Sequence, residues 1–252
     1  MPFLKHDRIT PAQVVILGFL FQILIGACLL SLPVATRSGE RVPFLDALFT
    51  ATSATCVTGL VIHDTALFWS PFGQGVILLL IQVGGMGVVT MAVAIFMFSG
   101  RKIGLKQRWV MQESISAPQV GGIVRMTGFI LKTAFLIEAI GALLLALRFC
   151  PQFGLGKGIW YGIFHAVSAF CNAGFDLMGE TGAFSSLTGY VGDPLVNLVI
   201  CLLIVVGGAG LSHLARCGGP WPAREPVPTP EQADPPHDPG PAGGRLSVLP
   251  VL

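Results

Sequence analysis

Four long apolar stretches alternate with more polar connections along the chain. They cover about residues 13–32, 71–98, 126–147 and 194–211. A helix that crosses a bilayer needs about 20 predominantly apolar residues, and each stretch is close to that length or longer. The pattern therefore predicts four membrane-spanning helices.

Two shorter apolar segments, 43–55 and 158–170, lie between the long ones. Each would form a helix of roughly 20 Å, which is too short to cross a bilayer. Such a segment is expected to enter the membrane and return to the same side as a re-entrant helix. The predicted fold class is an all-α polytopic membrane protein with four spans and two pore loops.

The two halves of the chain repeat one another. FLDALFTATSATCVTGLVI (44–62) aligns with IWYGIFHAVSAFCNAGFDL (159–177), with six of 19 positions identical. ILLLIQVGGMG (77–87) aligns with ICLLIVVGGAG (200–210), with eight of 11 identical. We therefore expect two copies of one unit, in the order span, re-entrant helix, span.

These copies set the expected organisation of the chain. We name residues 1–99 the first repeat and residues 126–213 the second repeat, with a basic cytoplasmic loop at 100–125 between them. Residues 214–252 are rich in Pro, Gly, Ala and Arg, have no periodicity and are expected to be disordered. This tail is either natural or the frameshifted read-through of a longer gene.

Composition and charge agree with a membrane protein. Hydrophobic residues make up 53% of the chain and charged residues 11%, with a mean hydropathy of +0.75, whereas soluble proteins carry about 25% charged residues. The net charge of +2 argues against a nucleic-acid partner. The connection after the second span is the basic one, with Arg101, Lys102, Lys106, Arg108 and Arg125. Because positive loops face the cytoplasm, both termini are predicted to be cytoplasmic.

Each re-entrant helix is followed by a segment suited to bind a cation. The helix C-terminus carries about half a negative charge, and the carbonyls of the chain that leaves it can replace an ion's water. Glycine supplies the positive φ that such a turn needs. The first candidate segment is Val57, Thr58, Gly59 and Leu60, and the second candidate segment is Asn172, Ala173, Gly174 and Phe175.

Further residues are expected to support these segments. Small residues behind them are Ser53, Cys56, Ser168 and Cys171. Glycines expected at close helix contacts are Gly84, Gly85, Gly87, Gly207, Gly208 and Gly210. Asp64 and Asp176 follow the two segments and either concentrate cations at the pore mouth or are ordinary solvated loop charges.

The remaining polar residues indicate neither an enzyme nor a structural metal site. Glu138 lies near the middle of the third span, where it is either a functional group or a carboxylate packed between helices. His63 and His165 have no ligand pattern with a neighbour, and no nucleophile and base are paired. No covalent cofactor is expected.

The motifs TSATCVTGL (52–60) and FCNAGFDL (170–177) resemble the first two selectivity-filter motifs of the Trk/Ktr/HKT superfamily of potassium transporters. QVGGMG in the second span is similar to the same family, and the chain most resembles a Ktr-type translocating subunit. The resemblance implies K⁺ as substrate, Na⁺ as a second candidate ion, a multi-pass location in the plasma (inner) membrane, a homodimer with a second copy and a cytosolic nucleotide-binding ring.

The family pattern has four such units around one pore with pseudo-fourfold symmetry, whereas this chain has two. Two functions are therefore open. The chain is a potassium-translocating subunit, or the N-terminal half of one. Alternatively, it is a truncated, non-conducting membrane protein that at most associates with other subunits.

Overall fold

The structure, a computed structural model, describes residues 11–87 and 123–209, with side chains for 13–87 and 127–209. Within these ranges the regular elements are helices, apart from a single bridge between Thr36 and Trp69. The helices are α1 (Pro11–Leu30), α2 (Phe44–Thr55), α3 (Thr65–Phe68), α4 (Pro71–Met86), α5 (Ile123–Phe153), α6 (Leu155–Phe170) and α7 (Pro194–Gly208). Short 3₁₀ turns occur at Pro33–Ala35, Met178–Glu180 and Thr188–Tyr190.

The long apolar helices coincide with the predicted spans. In α1 and α5, the stretches Gln13–Leu30 and Thr127–Phe153 are long and apolar enough to cross a membrane. The apolar helices α4 and α7 are shorter, with 16 and 15 described residues. The described residues are helical, as predicted, which is consistent with a membrane protein. The end of the second span, the basic loop and the tail lie outside the described residues.

Helices α4 and α7 begin in the same way, as expected for two copies of one unit. Ser70 accepts a hydrogen bond from the N–H of Gly73, and Pro71 follows it as the first helical residue. Asp193 accepts from two N–H groups of α7, and Pro194 follows it. A capping side chain and a proline at the first position both favour a helix start.

Each repeat packs its middle helix against two others. In the first repeat α2 contacts α1 and α4, and in the second repeat α6 contacts α5 and α7. Contact between the repeats runs through α4 and α6, and through α3 and the turn at Met178–Glu180. Small residues permit the close approach: a methyl at Gly162 would lie 2.7 Å from the Ala142 carbonyl oxygen. This packing fixes the ends of α2 and α6, where the candidate segments begin.

Candidate ion-binding site

Helix α2 ends in a turn that folds the chain back on the helix. Cys56 caps the helix, and Val57 follows it at φ +58°. The N–H of Thr58 then donates to the carbonyl of Ser53, at 3.0 Å. Gly59 comes next at φ +74°. Two residues with positive φ therefore flank one residue that is tied to the helix.

Helix α6 ends in the same turn, matched residue for residue. Asn172 has φ +59°, the N–H of Ala173 donates to the carbonyl of Ser168 at 2.7 Å, and Gly174 has φ +72°. Both candidate-segment glycines thus have the positive φ that the sequence predicts. In a strand, successive residues point to opposite faces. A positive φ at every second residue removes this alternation along the backbone.

The turn is strained in the first repeat. Val57 is β-branched, and a β-branched residue at positive φ is a genuine outlier. Such a conformation costs on the order of 1–3 kcal/mol and persists only where the surroundings impose it. Asn172, at the equivalent position, tolerates it better. Because two chemically different residues adopt one conformation, the fold of the repeat imposes it, and strain of this kind is typical of functional sites.

Most carbonyls of the two candidate segments have no hydrogen-bond donor, and these are called the open carbonyls below. Among the described residues, no donor reaches the carbonyl oxygens of Val57, Thr58, Gly59, Leu60, Asn172, Ala173 and Gly174. The exception is Phe175, whose carbonyl accepts a hydrogen bond from the Ser168 hydroxyl at 2.6 Å. That carbonyl is directed at α6, so the second segment offers one carbonyl fewer than the first.

The predicted supporting serines contact the candidate segments directly. The hydroxyl of Ser53 lies 2.9 Å from the hydroxyl of Thr58, and Ser168 holds Phe175 as described. The two cysteines differ in environment: Cys56 is exposed, whereas Cys171 is half-buried. A methyl at Gly85 would lie 2.7 Å from both Cβ and Sγ of Cys171, so α4 of the first repeat packs behind the second segment.

The two candidate segments meet at their glycines. A methyl group at Gly59 would lie 2.8 Å from the carbonyl oxygen of Ala173 and 3.3 Å from Cα of Gly174. A methyl at Gly174 would lie 3.4 Å from Cα of Gly59. The backbones of the two candidate segments therefore lie against each other at Gly59 and Gly174.

Two predicted packing glycines occupy equivalent contacts in the two repeats. A side chain at Gly84 would overlap the backbone carbonyl of Thr55, the last residue of α2. A side chain at Gly207 would overlap that of Phe170, the last residue of α6. These contacts pack α4 against the end of α2 and α7 against the end of α6. Gly208 faces the Asn172 amide and Gly87 caps α4, whereas Gly210 lies outside the described residues.

The acidic residues after the segments are engaged within the protein. Asp64 accepts hydrogen bonds from the N–H groups of Ala66 and Leu67, each at 2.9 Å, and from Phe184 of the second repeat at 2.8 Å. It therefore ties together two connections that lie 120 residues apart. Asp176 accepts from the N–H of Met178. Burial raises the pKa of Asp176, the hydrogen bond from Met178 lowers it, and the charge of Asp64 raises it.

Glu138 has a defined partner in the first repeat. Its carboxylate is 4% exposed, and the amide nitrogen of Gln82 lies 3.0 Å and 3.1 Å from its two oxygens. The contact joins α4 to α5. A buried carboxylate with a hydrogen-bond donor is a packing contact between repeats, which was one of the two expectations for this residue.

Several contacts could not be inferred from the sequence because their partners are far apart along the chain. Glu180 lies 2.9 Å from the Lys157 ammonium and 3.8 Å from the Arg37 guanidinium. The indole N–H of Trp160 donates to the side chain of Gln74 at 2.8 Å. Among the described residues, no group of three or more His, Cys, Asp or Glu side chains is placed to hold a metal ion.

The comparison with protein families identifies the class. Residues 10–217 match the TrkH family, described as a cation transport protein. Because the match covers most of the chain, the chain belongs to the TrkH family of cation transport proteins, which are membrane transporters and not enzymes. The family predicted from the sequence motifs is confirmed.

Individual relatives are potassium uptake proteins. The chain is 46% identical over 211 residues to Ktr system potassium uptake protein B of Bacillus subtilis, which covers 84% of the chain and 46% of the relative. It is 44% identical over 205 residues to potassium/sodium uptake protein NtpJ of Enterococcus hirae, a match that covers 81% of the chain and 44% of the relative. It is 34% identical over 219 residues to Ktr system potassium uptake protein B of Vibrio alginolyticus, with 86% and 47% covered. The chain thus spans about half the length of these relatives.

Proposed function

We propose that the chain supplies two pore units of a potassium-translocating membrane subunit. Each unit consists of a span, a re-entrant helix, a candidate segment and a second span. The first unit uses α1, α2 and α4, and the second uses α5, α6 and α7. In the full family pattern, four such units surround one pore with pseudo-fourfold symmetry.

The observation that carries the proposal is the repeated turn after α2 and α6. Seven carbonyls of the candidate segments have no donor among the described residues, and positive φ recurs at matched positions in both turns. Carbonyl oxygens in this arrangement can replace the water around a K⁺ ion. The C-termini of α2 and α6 add a partial negative charge at the same place.

The relatives support the choice of ion. Two relatives carry potassium uptake in their names, and a third carries potassium and sodium uptake. We therefore assign K⁺ as the ion and Na⁺ as a second candidate. We assign the two candidate segments as the filter residues. The Phe175 carbonyl is the exception, because it binds the Ser168 hydroxyl and not an ion.

Topology and partners complete the proposal. With four spans both termini are on one side of the membrane, and the basic residues predicted at the loop 100–125 lead us to assign that side as the cytoplasm. That side would receive the cytosolic nucleotide-binding ring that the family resemblance implies. A second copy of the subunit and the lipid bilayer are the remaining expected partners.

A second candidate function is a non-conducting membrane protein that associates with other subunits. The observation in its favour is that the chain matches only 44–47% of the length of its relatives. Two units do not encircle an ion, so conduction requires further units.

Potassium-dependent growth separates the two functions. The chain and a chimera are expressed in a bacterial strain that lacks its own K⁺ uptake systems. The chimera joins residues 1–210 to the C-terminal half of the Bacillus subtilis relative. We expect the chimera to restore growth at low K⁺ concentration, because it has four units. Growth with the chain alone would exclude the non-conducting alternative.

A matched pair of variants tests the candidate segments in the same strain. Gly59→Ala in the chimera should abolish growth at low K⁺ without reducing membrane insertion. Gly75→Ala is the control, because a methyl there meets no atom within 4 Å. A chimera that is inserted in the membrane but does not restore growth would contradict the proposal.

A further inference from the structure

We propose that His165 is a positioning residue for the second candidate segment. It fixes the chain that leaves this segment against α6 and so sets the direction of the open carbonyls. The inference rests on the proposed function, since it concerns the precision of the same ion site. No metal, ligand or catalytic role is assigned to the imidazole.

Both nitrogens of the imidazole are used. His165 is 2% exposed. Its Nε2 lies 3.2 Å from the backbone nitrogen of Leu177, and its Nδ1 lies 2.7 Å from the carbonyl oxygen of Tyr161. Because an N–H can only donate, Nε2 must be the acceptor, and the proton of the neutral ring is on Nδ1. One tautomer therefore satisfies both contacts.

The histidine completes a row of anchors along the exit from α6. The N–H of Ala173 donates to the Ser168 carbonyl, the Ser168 hydroxyl donates to the Phe175 carbonyl, and the N–H of Leu177 donates to His165. Every second residue of this stretch is thus tied to the helix. His165 and Ser168 are three positions apart, so they lie on one face of α6. Gly174 lies between two tied residues, which restricts the rotation of its carbonyl.

Aromatic rings hold the imidazole in this orientation. Its centroid is 5.6 Å from that of Phe149, 6.2 Å from Phe164 and 6.3 Å from Tyr161, each at a steep angle. Phe149 belongs to α5, and the other two rings belong to α6. Helix α5 therefore contributes to the position of the ring and, through it, to the exit from the second segment.

The first repeat lacks this anchor, which makes it an internal control. Thr50 takes the position equivalent to His165, and its hydroxyl donates to the carbonyl of Asp46 within α2. The chain that leaves the first segment has its own histidine, His63. This histidine lies on the loop and not on the helix, with Nε2 3.2 Å from the Asp46 carboxylate. Among the described residues, no side chain of α2 reaches the backbone at 60–62.

The first experiment determines the tautomer in the full chain. The protein is labelled with ¹⁵N at histidine, reconstituted in lipid nanodiscs and examined by solid-state NMR. His165→Phe assigns the signal by its loss. We expect a protonated Nδ1 and an unprotonated Nε2 at neutral pH. A protonated Nε2 would contradict the inference, because it could not accept from Leu177.

The second experiment measures amide exchange in the full chain and three variants. His165→Phe keeps a ring but removes the acceptor, His165→Gln restores an acceptor, and Thr50→Val is the control in the first repeat. In His165→Phe we expect exchange at Leu177 to be about tenfold faster, as for the loss of one hydrogen bond, with faster exchange at Ala173 as well. His165→Gln should recover part of the protection, and Thr50→Val should change neither amide. Unchanged exchange at Ala173 in His165→Phe would show that the histidine does not position the segment.

Ion preference separates this inference from the proposed function. The unfolding midpoint of the four-unit chimera is measured in KCl and in NaCl for the same variants, because two units alone do not encircle an ion. We expect His165→Phe to reduce the excess stabilisation by KCl and His165→Gln to recover it. A chimera without any such excess contradicts the ion site itself, and the exchange data then still decide whether His165 anchors the exit. A full excess in His165→Phe would overturn the positioning role.

Discussion

Four glycine-to-alanine substitutions test the site, because each should change the free energy of unfolding by a different amount. Gly75 lies in α4 with open space at its Cβ position, so alanine there should stabilise the helix by up to about 1 kcal/mol. Gly39 and Gly174 have positive φ, and a methyl at either would meet no backbone atom closer than 3.4 Å, so each alanine variant should lose about 1–2 kcal/mol of stability. Gly59 has the same φ, and its methyl would lie 2.8 Å from the carbonyl oxygen of Ala173. That overlap should destabilise the Gly59→Ala variant by about a further 1–3 kcal/mol through overpacking.

Thermal unfolding of the purified chain in detergent measures this series. One kcal/mol shifts the midpoint by about 2–4 °C for a chain of this size. Gly59→Ala should therefore unfold several degrees below Gly174→Ala, and Gly75→Ala at or above the wild type. A Gly59→Ala midpoint equal to that of Gly39→Ala would show that the two candidate segments do not meet at their glycines.

Three further substitutions probe contacts around the site. Glu138→Leu should cost about 1–3 kcal/mol because it leaves the buried Gln82 amide only a weak acceptor, the Met86 sulfur at 3.6 Å. Glu138→Gln keeps an oxygen acceptor, and the two variants are compared by unfolding midpoint. Asp64→Asn remains a good helix cap but loses a carboxylate oxygen, so we expect faster amide exchange at Phe184. Asp176→Asn should raise the midpoint at neutral pH, because the pKa of this carboxyl is raised by burial, and the difference should disappear as the pH falls through that pKa.

Each of these has a matched control. The double variant Glu138→Leu with Gln82→Leu should recover stability, and equal midpoints for Glu138→Leu and Glu138→Gln would contradict the pairing. Asp64→Ala should lose the cap as well and be less stable than Asp64→Asn. The control for Asp176→Asn is Asp193→Asn. The Asp193 carboxylate accepts hydrogen bonds from the N–H of Val196 and from Arg148, and both lower its pKa. Asp193→Asn should therefore lower the midpoint at neutral pH, and a difference of the same sign as for Asp176→Asn would be inconsistent with these contacts.

The sequence predicts the helical framework well because its signals are local. The lengths of the apolar stretches give the described parts of the spans, and the internal repeat aligns the two turns that follow α2 and α6. The positive φ of Gly59 and Gly174 follows from the same alignment. Each of these features depends on a few neighbouring residues and on the period of the apolar positions.

The contacts around the site could not be predicted in the same way. The positive φ of Val57 opposes the preference of a β-branched residue, so only the surrounding fold can impose it. The bond between the Ser168 hydroxyl and the Phe175 carbonyl distinguishes two segments that look equivalent in the alignment. Gln82 and Glu138 are 56 residues apart, and a one-dimensional pattern contains no sign of their pairing. Such contacts depend on how the helices pack, which the sequence determines only through the complete fold.

The most direct test of the central claim is to locate the ion. Crystals of the chimera are grown with rubidium, which replaces potassium and scatters anomalously. We expect an anomalous peak in contact with the carbonyl oxygens of residues 57–60 and 172–174, and none on the Phe175 carbonyl. Ordered carbonyls in these segments without a rubidium peak, and with a peak elsewhere in the pore, would contradict the central claim.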